Sequence, residues 1–247
     1  MIFFYLLIFL FGAIIGSFLN VIIYRIPRGE SIVLPPSHCP HCNHRLAWWD
    51  LFPVLSFLWL KGRCRYCQAA ISWRYPLTEL LTGGLTWLWW FRYGSSGPAL
   101  ASLAFLVLTY ILIAIALIDL EQRIIPNRLT LPLIILGLTF RAFQGALVPA
   151  LLGALAGGGL LFLIALVYPK GMGFGDVKLL AMTGIFLGWY QVLISLFVGS
   201  FLGVLVMVPL LLLKKIERKT PVPFGPFLVI GALVVMYGWG QIRGLLP

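Results

Sequence analysis

The stretch 179–213, LLAMTGIFLGWYQVLISLFVGSFLGVLVMVPLLLL, contains no charged residue. As one α-helix its 35 residues would reach about 52 Å, well beyond a bilayer core of ~30 Å. Gly188-Trp189-Tyr190-Gln191 is its most turn-like point, and carries two aromatics of the kind that gather at membrane interfaces. We read two spans joined tightly there. Working outward, further apolar runs cover Ile2–Ile23, Pro76–Phe91, Pro98–Ile118, Leu129–Phe140, Ala146–Tyr168 and Phe224–Trp239. The first has no basic segment before it and no small-residue cleavage pattern after it, so it reads as an uncleaved helix. The fold class that follows is an all-α polytopic membrane protein with about eight transmembrane helices.

Composition excludes the alternatives. Of 247 residues, 61% are hydrophobic and 10% charged, too few charges to clothe a soluble particle, and mean hydropathy is +1.02. The same figures exclude disordered, collagen-like and disulfide-scaffold chains. A net charge of +11 would suggest nucleic acid in a soluble protein, but in a membrane protein Lys and Arg set orientation. With the N-terminus outside, the inside loops 24–75, 119–128, 169–178 and 214–223 hold 15 of the 18 Lys/Arg: Arg25, Arg28, Arg45, Lys61, Arg63, Arg65, Arg74, Arg123, Arg128, Lys170, Lys178, Lys214, Lys215, Arg218 and Lys219. Arg92, Arg141 and Arg243 remain outside. The charge excess is thus accounted for by both termini outside, and no nucleic-acid partner is expected. Gly157-Gly158-Gly159 and Gly199-x-x-x-Gly203 lie inside apolar helices and read as close-packing surfaces.

All four cysteines fall in the loop 24–75, as Cys39-Pro-His-Cys42 and Cys64-Arg-Tyr-Cys67. Two C-x-x-C knuckles can bring four thiolates around one tetrahedral zinc ion, and a reducing cytoplasmic loop counts against disulfides. Such a closed site folds the loop and leaves no open position for catalysis. His38, His41 and His44 crowd the first knuckle and offer a possible exchange of ligand. The organisation expected is a first transmembrane helix over 1–23, a cytoplasmic zinc-binding loop domain over 24–75, and a seven-helix transmembrane catalytic core over 76–247.

The acids number only seven: Glu30, Asp50, Glu79, Asp119, Glu121, Asp176 and Glu217. Asp119 ends one span, and Asp176 opens another within Met172-Gly-Phe-Gly-Asp176-Val-Lys178. Both sit at the cytoplasmic boundary, where carboxylates are costly and so mark candidate sites. The bland alternatives are a helix-end acid paired with Arg123 or Arg128, and a plain N-cap. Two facing carboxylates that share a proton are what aspartyl hydrolysis requires. Judged by the dipole of its own helix, Asp176 is expected to be the resting carboxylate and Asp119 to hold the proton.

These residues stand in a wider pattern: Gly16-Ser-Phe-Leu-Asn-Val21, Tyr24-Arg-Ile-Pro27, the C-x-x-C pairs, Pro53-Val-Leu-Ser56, Arg74-Tyr-Pro-Leu-Thr-Glu-Leu-Leu-Thr-Gly83, Ile118-Asp119, Ile125-Pro-Asn127, Gly173-Phe-Gly-Asp176-Val-Lys178 and Pro223-Phe-Gly-Pro226. In all of them the chain resembles the bacterial prepilin peptidases, or type IV leader peptidases, membrane aspartyl proteases with a G-x-G-D signature. The resemblance implies that Asp119 and Asp176 are catalytic, with Gly173, Gly175 and Lys178 in the supporting loop and Cys39, Cys42, Cys64 and Cys67 as zinc ligands. It implies cleavage of the basic leader of type IV prepilins or pseudoprepilins after a glycine, at the inner face of a bacterial cytoplasmic membrane. It also implies N-methylation of the new N-terminus from S-adenosylmethionine, with Glu30, Asp50 and Glu79 as possible substrate or methylation residues. For Glu79 a salt bridge with Arg74 is the competing expectation. From another class, a proton-coupled transporter with a zinc-sensing loop would place acids in mid-span, whereas these lie at span ends.

Overall fold

The computed structural model describes residues 2–94, 99–168, 172–214 and 222–242. Lys170, Lys215, Glu217, Arg218, Lys219 and Arg243 lie outside them. Outside the largely irregular loop between Arg25 and Arg74, most of the described residues are helical: α1 (Ile2–Arg25), α2 (Leu55–Trp59), α3 (Arg74–Tyr93), α4 (Ala99–Gln122), α5 (Asn127–Phe143), α6 (Leu147–Ala154), α7 (Leu160–Val167), α8 (Phe174–Leu187), α9 (Trp189–Leu212) and α10 (Gly225–Ile242). A single π-helical turn, Leu155–Gly159, joins α6 to α7 into one rod. Every expected span coincides with a helix. The long apolar run breaks at Gly188, whose φ of +88° is open to glycine at little cost. Among the described residues four segments are long and apolar enough to cross a membrane: Phe3–Arg28, Leu100–Gln122, Leu147–Val167 and Trp189–Leu212.

The outward surface is apolar, as lipid would require: Phe197 is 71% exposed and Val167 87%. Small residues and satisfied hydroxyls occupy the seams. The chain divides into two units, Met1–Tyr110 and Ile111–Pro247. In the first, α1 packs closely on α3. A Cβ built on Gly16 would stand 2.8 Å from the Glu79 Cα, and one on Gly12 would run into Thr86. Thr78, Thr82 and Thr86 line this face of α3, and each hydroxyl donates to the carbonyl four residues earlier, which leaves no bare donor inside the seam. In the second unit, α8 is the central helix. Gly153 and Gly184 meet backbone to backbone at the α6–α8 crossing, and Gly157 and Gly158 bring the π turn against Leu180, Ala181 and Val177. Gly199 approaches the Phe227 carbonyl of α10 at 2.6 Å from its would-be Cβ. The glycine runs are packing surfaces, as their place in apolar helices implied.

Candidate active site and metal centre

Helix α4 continues past the apolar run to Gln122, so Asp119 occupies its last turn. Asp119 is 5% exposed, and its Oδ2 accepts the Gly225 backbone N–H at 3.0 Å. A side chain at 225 is excluded, because a Cβ there would stand 2.7 Å from Asp119 Oδ2. Asp176 is the third residue of α8, whose N-cap is Gly173, so it is not the plain N-cap that the sequence allowed. It is half-buried, and the two carboxylates are close enough to interact electrostatically.

The loop that presents Asp176 is tied to the turn after α4. Gly175 lies over Ile125, with a would-be Cβ 3.0 Å from the Ile125 Cβ. The Lys178 ammonium donates to Asn127 Oδ1. The 125–127 and 173–178 motifs are therefore two halves of one platform. Gly225 is the residue whose role sequence reasoning missed. Its signal was a Pro-Phe-Gly-Pro turn opening a span, which carried no chemistry by itself.

In the loop 24–75 the two knuckles have the same backbone. Cys39 and Cys64 each donate N–H five residues on, to the His44 and Ala69 carbonyls, and each carbonyl accepts from the residue four on, Asn43 or Gln68. Asn43 and Gln68 both take left-handed φ, 55° and 60°. The pairings His38↔Arg45 and Arg63↔Ala70 close the two turns alike. All four sulfurs fall within 4.8 Å of one another, and Cys39 Sγ and Cys67 Sγ stand 3.8 Å apart. A tetrahedral ion with bonds of about 2.3 Å needs sulfurs roughly 3.8 Å apart, so the residues fit zinc. No histidine joins the group, and His44 stacks on Tyr66 instead. Burial would raise the Cys39 thiol, but the N–H groups of Cys42 and His41 bring it down to about 7. The Ala69 N–H favours the Cys67 thiolate, yet desolvation and the neighbouring sulfurs push it up to about 12. Four crowded thiols do not all ionise without a cation between them.

The three remaining acids differ. Glu30 is exposed. Asp50 accepts from Arg65 Nε at 2.8 Å, the Tyr66 hydroxyl at 3.0 Å and the Ala47 N–H at 3.2 Å. Burial would raise its carboxyl, but these donors hold it below the usual range. Glu79 is 7% exposed and accepts the Val54 N–H at 2.7 Å and the Ser17 hydroxyl. Among the described residues the one ion pair is Arg65–Asp50, so the expected Glu79–Arg74 bridge gives way to a bond holding the loop.

Comparison with known proteins agrees with this architecture. Residues 10–93 match the bacterial peptidase A24 N-terminal domain, and residues 106–208 the type IV leader peptidase family. A prepilin leader peptidase/N-methyltransferase of Aeromonas hydrophila is 40% identical over 95% of this chain and 90% of its own length. Relatives with the same description from Stutzerimonas stutzeri and Pseudomonas aeruginosa are 37% and 36% identical, over 93% and 94% of this chain and 89% of their own lengths. No solved structure matches. Nothing in these matches favours a transporter. With such identity along nearly its whole length, the chain belongs to the type IV leader peptidase family.

Proposed function

We propose that this chain is a bifunctional prepilin leader peptidase and N-methyltransferase of the bacterial inner membrane. Its substrates would be type IV prepilins or pseudoprepilins, hydrophobic helices with a basic leader, cut after a glycine. The observation that carries the reading is the pair Asp119 and Asp176, interacting across one platform in a chain of this family.

The hydrogen bond from Gly225 alters the assignment of roles drawn from the sequence. Asp119 ends its own helix but also lies at the start of α10, where a free backbone N–H and the helix dipole favour negative charge. In our reading Asp119 is the ionised base and Asp176 carries the proton. Asp119 takes a proton from water, the oxygen attacks the scissile carbonyl carbon, and Asp176 donates to the carbonyl oxygen. On collapse of the tetrahedral intermediate the C–N bond breaks, Asp119 passes its proton to the departing amide nitrogen and Asp176 regains one from the gem-diol hydroxyl, which leaves the leader with a new carboxyl group and the mature chain with a new N-terminal amine. Gly175 and Lys178 hold the Asp176 loop against Ile125 and Asn127, and the Gly173 carbonyl accepts the Asp176 N–H.

Cys39, Cys42, Cys64 and Cys67 would hold a structural zinc ion that folds the loop. S-adenosylmethionine, when bound, supplies a methyl group to the new N-terminal amine. Both aspartates and the zinc loop would face the cytoplasm, where the basic leader of the substrate remains.

The decisive experiment incubates purified protein with one prepilin. Asp119→Asn and Asp176→Asn should each slow cleavage roughly 10²–10⁴-fold, the usual worth of a general acid or base, without loss of zinc. Near-normal cleavage by either variant would remove the pair from the mechanism.

A further inference from the structure

Between α1, the start of α3 and the zinc loop lies a cavity of about 400 Å³, within the range of small-molecule sites, roughly 300–1,000 Å³. Apolar side chains supply most of its wall, and polar and charged groups interrupt it: Ser17, Asn20 and Arg25 from α1, Glu79 from α3, and Asp50 and Arg65 from the loop, beside the Cys39–His41 segment.

Two of these groups lack the partners their burial requires. Asn20 is 2% exposed. Its Nδ2 donates to the Gly16 and Tyr75 carbonyls, both at 3.3 Å, but its Oδ1 has no partner. Both neighbours of the nitrogen are acceptors, so the amide cannot be turned round to satisfy the oxygen. Glu79 receives a backbone N–H and a hydroxyl, and among the described residues it forms no ion pair. Arg25, which donates to the Ser31 and Pro36 carbonyls, and Arg65, which is paired with Asp50, also line the cavity, but neither pairs with Glu79. An unpartnered amide oxygen and a buried carboxylate with no ion pair, on residues that line one cavity, fit a ligand that brings both hydrogen-bond donors and positive charge.

The site is also rigidly built. Gly16 lets α1 approach the Glu79 backbone, and no larger residue would fit there. Glu79 also accepts the N–H of Val54, a β-branched residue at φ +60°. Such a conformation is strained and persists only where its surroundings enforce it.

We infer that this cavity is the S-adenosylmethionine site, with Asn20 Oδ1 and the Glu79 carboxylate as acceptors for the positively charged methionyl end. The inference rests on the methyltransferase reading above. The acceptors match the ammonium and sulfonium of that molecule, and the apolar walls leave room for its nucleoside. The cavity borders the zinc knuckles at Cys39 and Cys64, so the metal centre shapes its roof and takes no part in the chemistry.

The test is equilibrium binding of tritiated S-adenosylmethionine to the full-length protein in detergent, with ultraviolet cross-linking to map where the label falls. Glu79→Gln keeps an acceptor for Val54 and removes the charge; Asn20→Ala removes the unpartnered oxygen. Each should weaken binding about tenfold or more, the worth of one charge-assisted hydrogen bond, with zinc content unchanged as the control for folding. The label should fall within residues 14–79. Unaltered affinity in both variants, or label confined to other peptides, would overturn the site. A wild-type protein that fails to cut or methylate any pilin precursor would sink the function itself, whatever the binding shows. A basic leader peptide that displaces no label leaves the inference standing; if that peptide alone binds the cavity and the methyl donor does not, the inference falls.

Discussion

Asp119 and Gly225 are 106 residues apart, and in our reading the bond between them polarises the proposed catalytic pair. Replacement of Gly225 by Ala would put a carbon 2.7 Å from Asp119 Oδ2 and push the carboxylate off its N–H donor. We expect cleavage to fall about tenfold or more, and the acidic limb of the pH–rate profile to move up as Asp119 loses the group that stabilises its charge. S-adenosylmethionine binding by the same variant should not change. A Gly225→Ala enzyme with normal rate and profile would show that the contact is mere packing. The two acids were legible in the sequence because acids are so scarce and these fall at span ends. Their division of labour was not. The sequence offers each carboxylate only the dipole of its own helix, whereas the donor on Asp119 comes from another helix. For the same reason Asn20 was legible as part of a motif and not as a cavity wall: its oxygen is orphaned only once α1 and α3 pack together.

At the scale of the element, the zinc loop is two copies of one turn joined by an irregular segment. The paired cysteines and their 21-residue separation announced the turns. The joining segment was opaque, because a β-branched residue such as Val54 gives no sequence sign of positive φ. Two devices hold this segment. The first is the four-cysteine group, our proposed zinc site. Cys64→Ser removes a buried ligand, and since binding is folding in such sites, amide exchange across 37–71 should rise to the unprotected rate on loss of zinc. The second is Asp50, clamped by Arg65, Tyr66 and the Ala47 N–H. Its carboxyl lies below the ordinary value, so its stabilising contribution is fully present above an unfolded value of about 3.9 and fades as pH falls through the folded one. Exchange at 47–51 should therefore accelerate between pH 5 and the folded value, in about that window. In Asp50→Asn the acceleration should be present already at pH 7, about tenfold, with little further dependence on pH across that window. Equal exchange in the two proteins at neutral pH would show that the clamp does not hold the loop.

For the whole molecule, the arrangement with both termini outside depends on α8 and α9 each crossing once. Helix α9 is long enough. Helix α8 has 14 residues, about 21 Å, which is short of a core of ~30 Å. Yet nearly all of it beyond Lys178 is buried within its unit. It meets the bilayer through its neighbours, so its length need not match the lipid. Length required the run 179–213 to be broken, and it breaks at Gly188, but length did not reveal how short its first piece is: hydropathy measures what lipid tolerates and says nothing about a helix enclosed by protein. The left-handed Gly188 with Trp189 and Tyr190 after it is where the chain should turn at the outer interface. Periplasmic-reporter fusions test this directly. Alkaline phosphatase joined after Gly145 or Tyr190 should be active, and after Arg123 or Lys214 inactive. An inactive fusion at Tyr190 beside an active one at Lys214 would make α8 a re-entrant element. Asp176 would then lie on the same α8 but without a crossing after it, and the inside placement of the Lys214 loop would have to be abandoned.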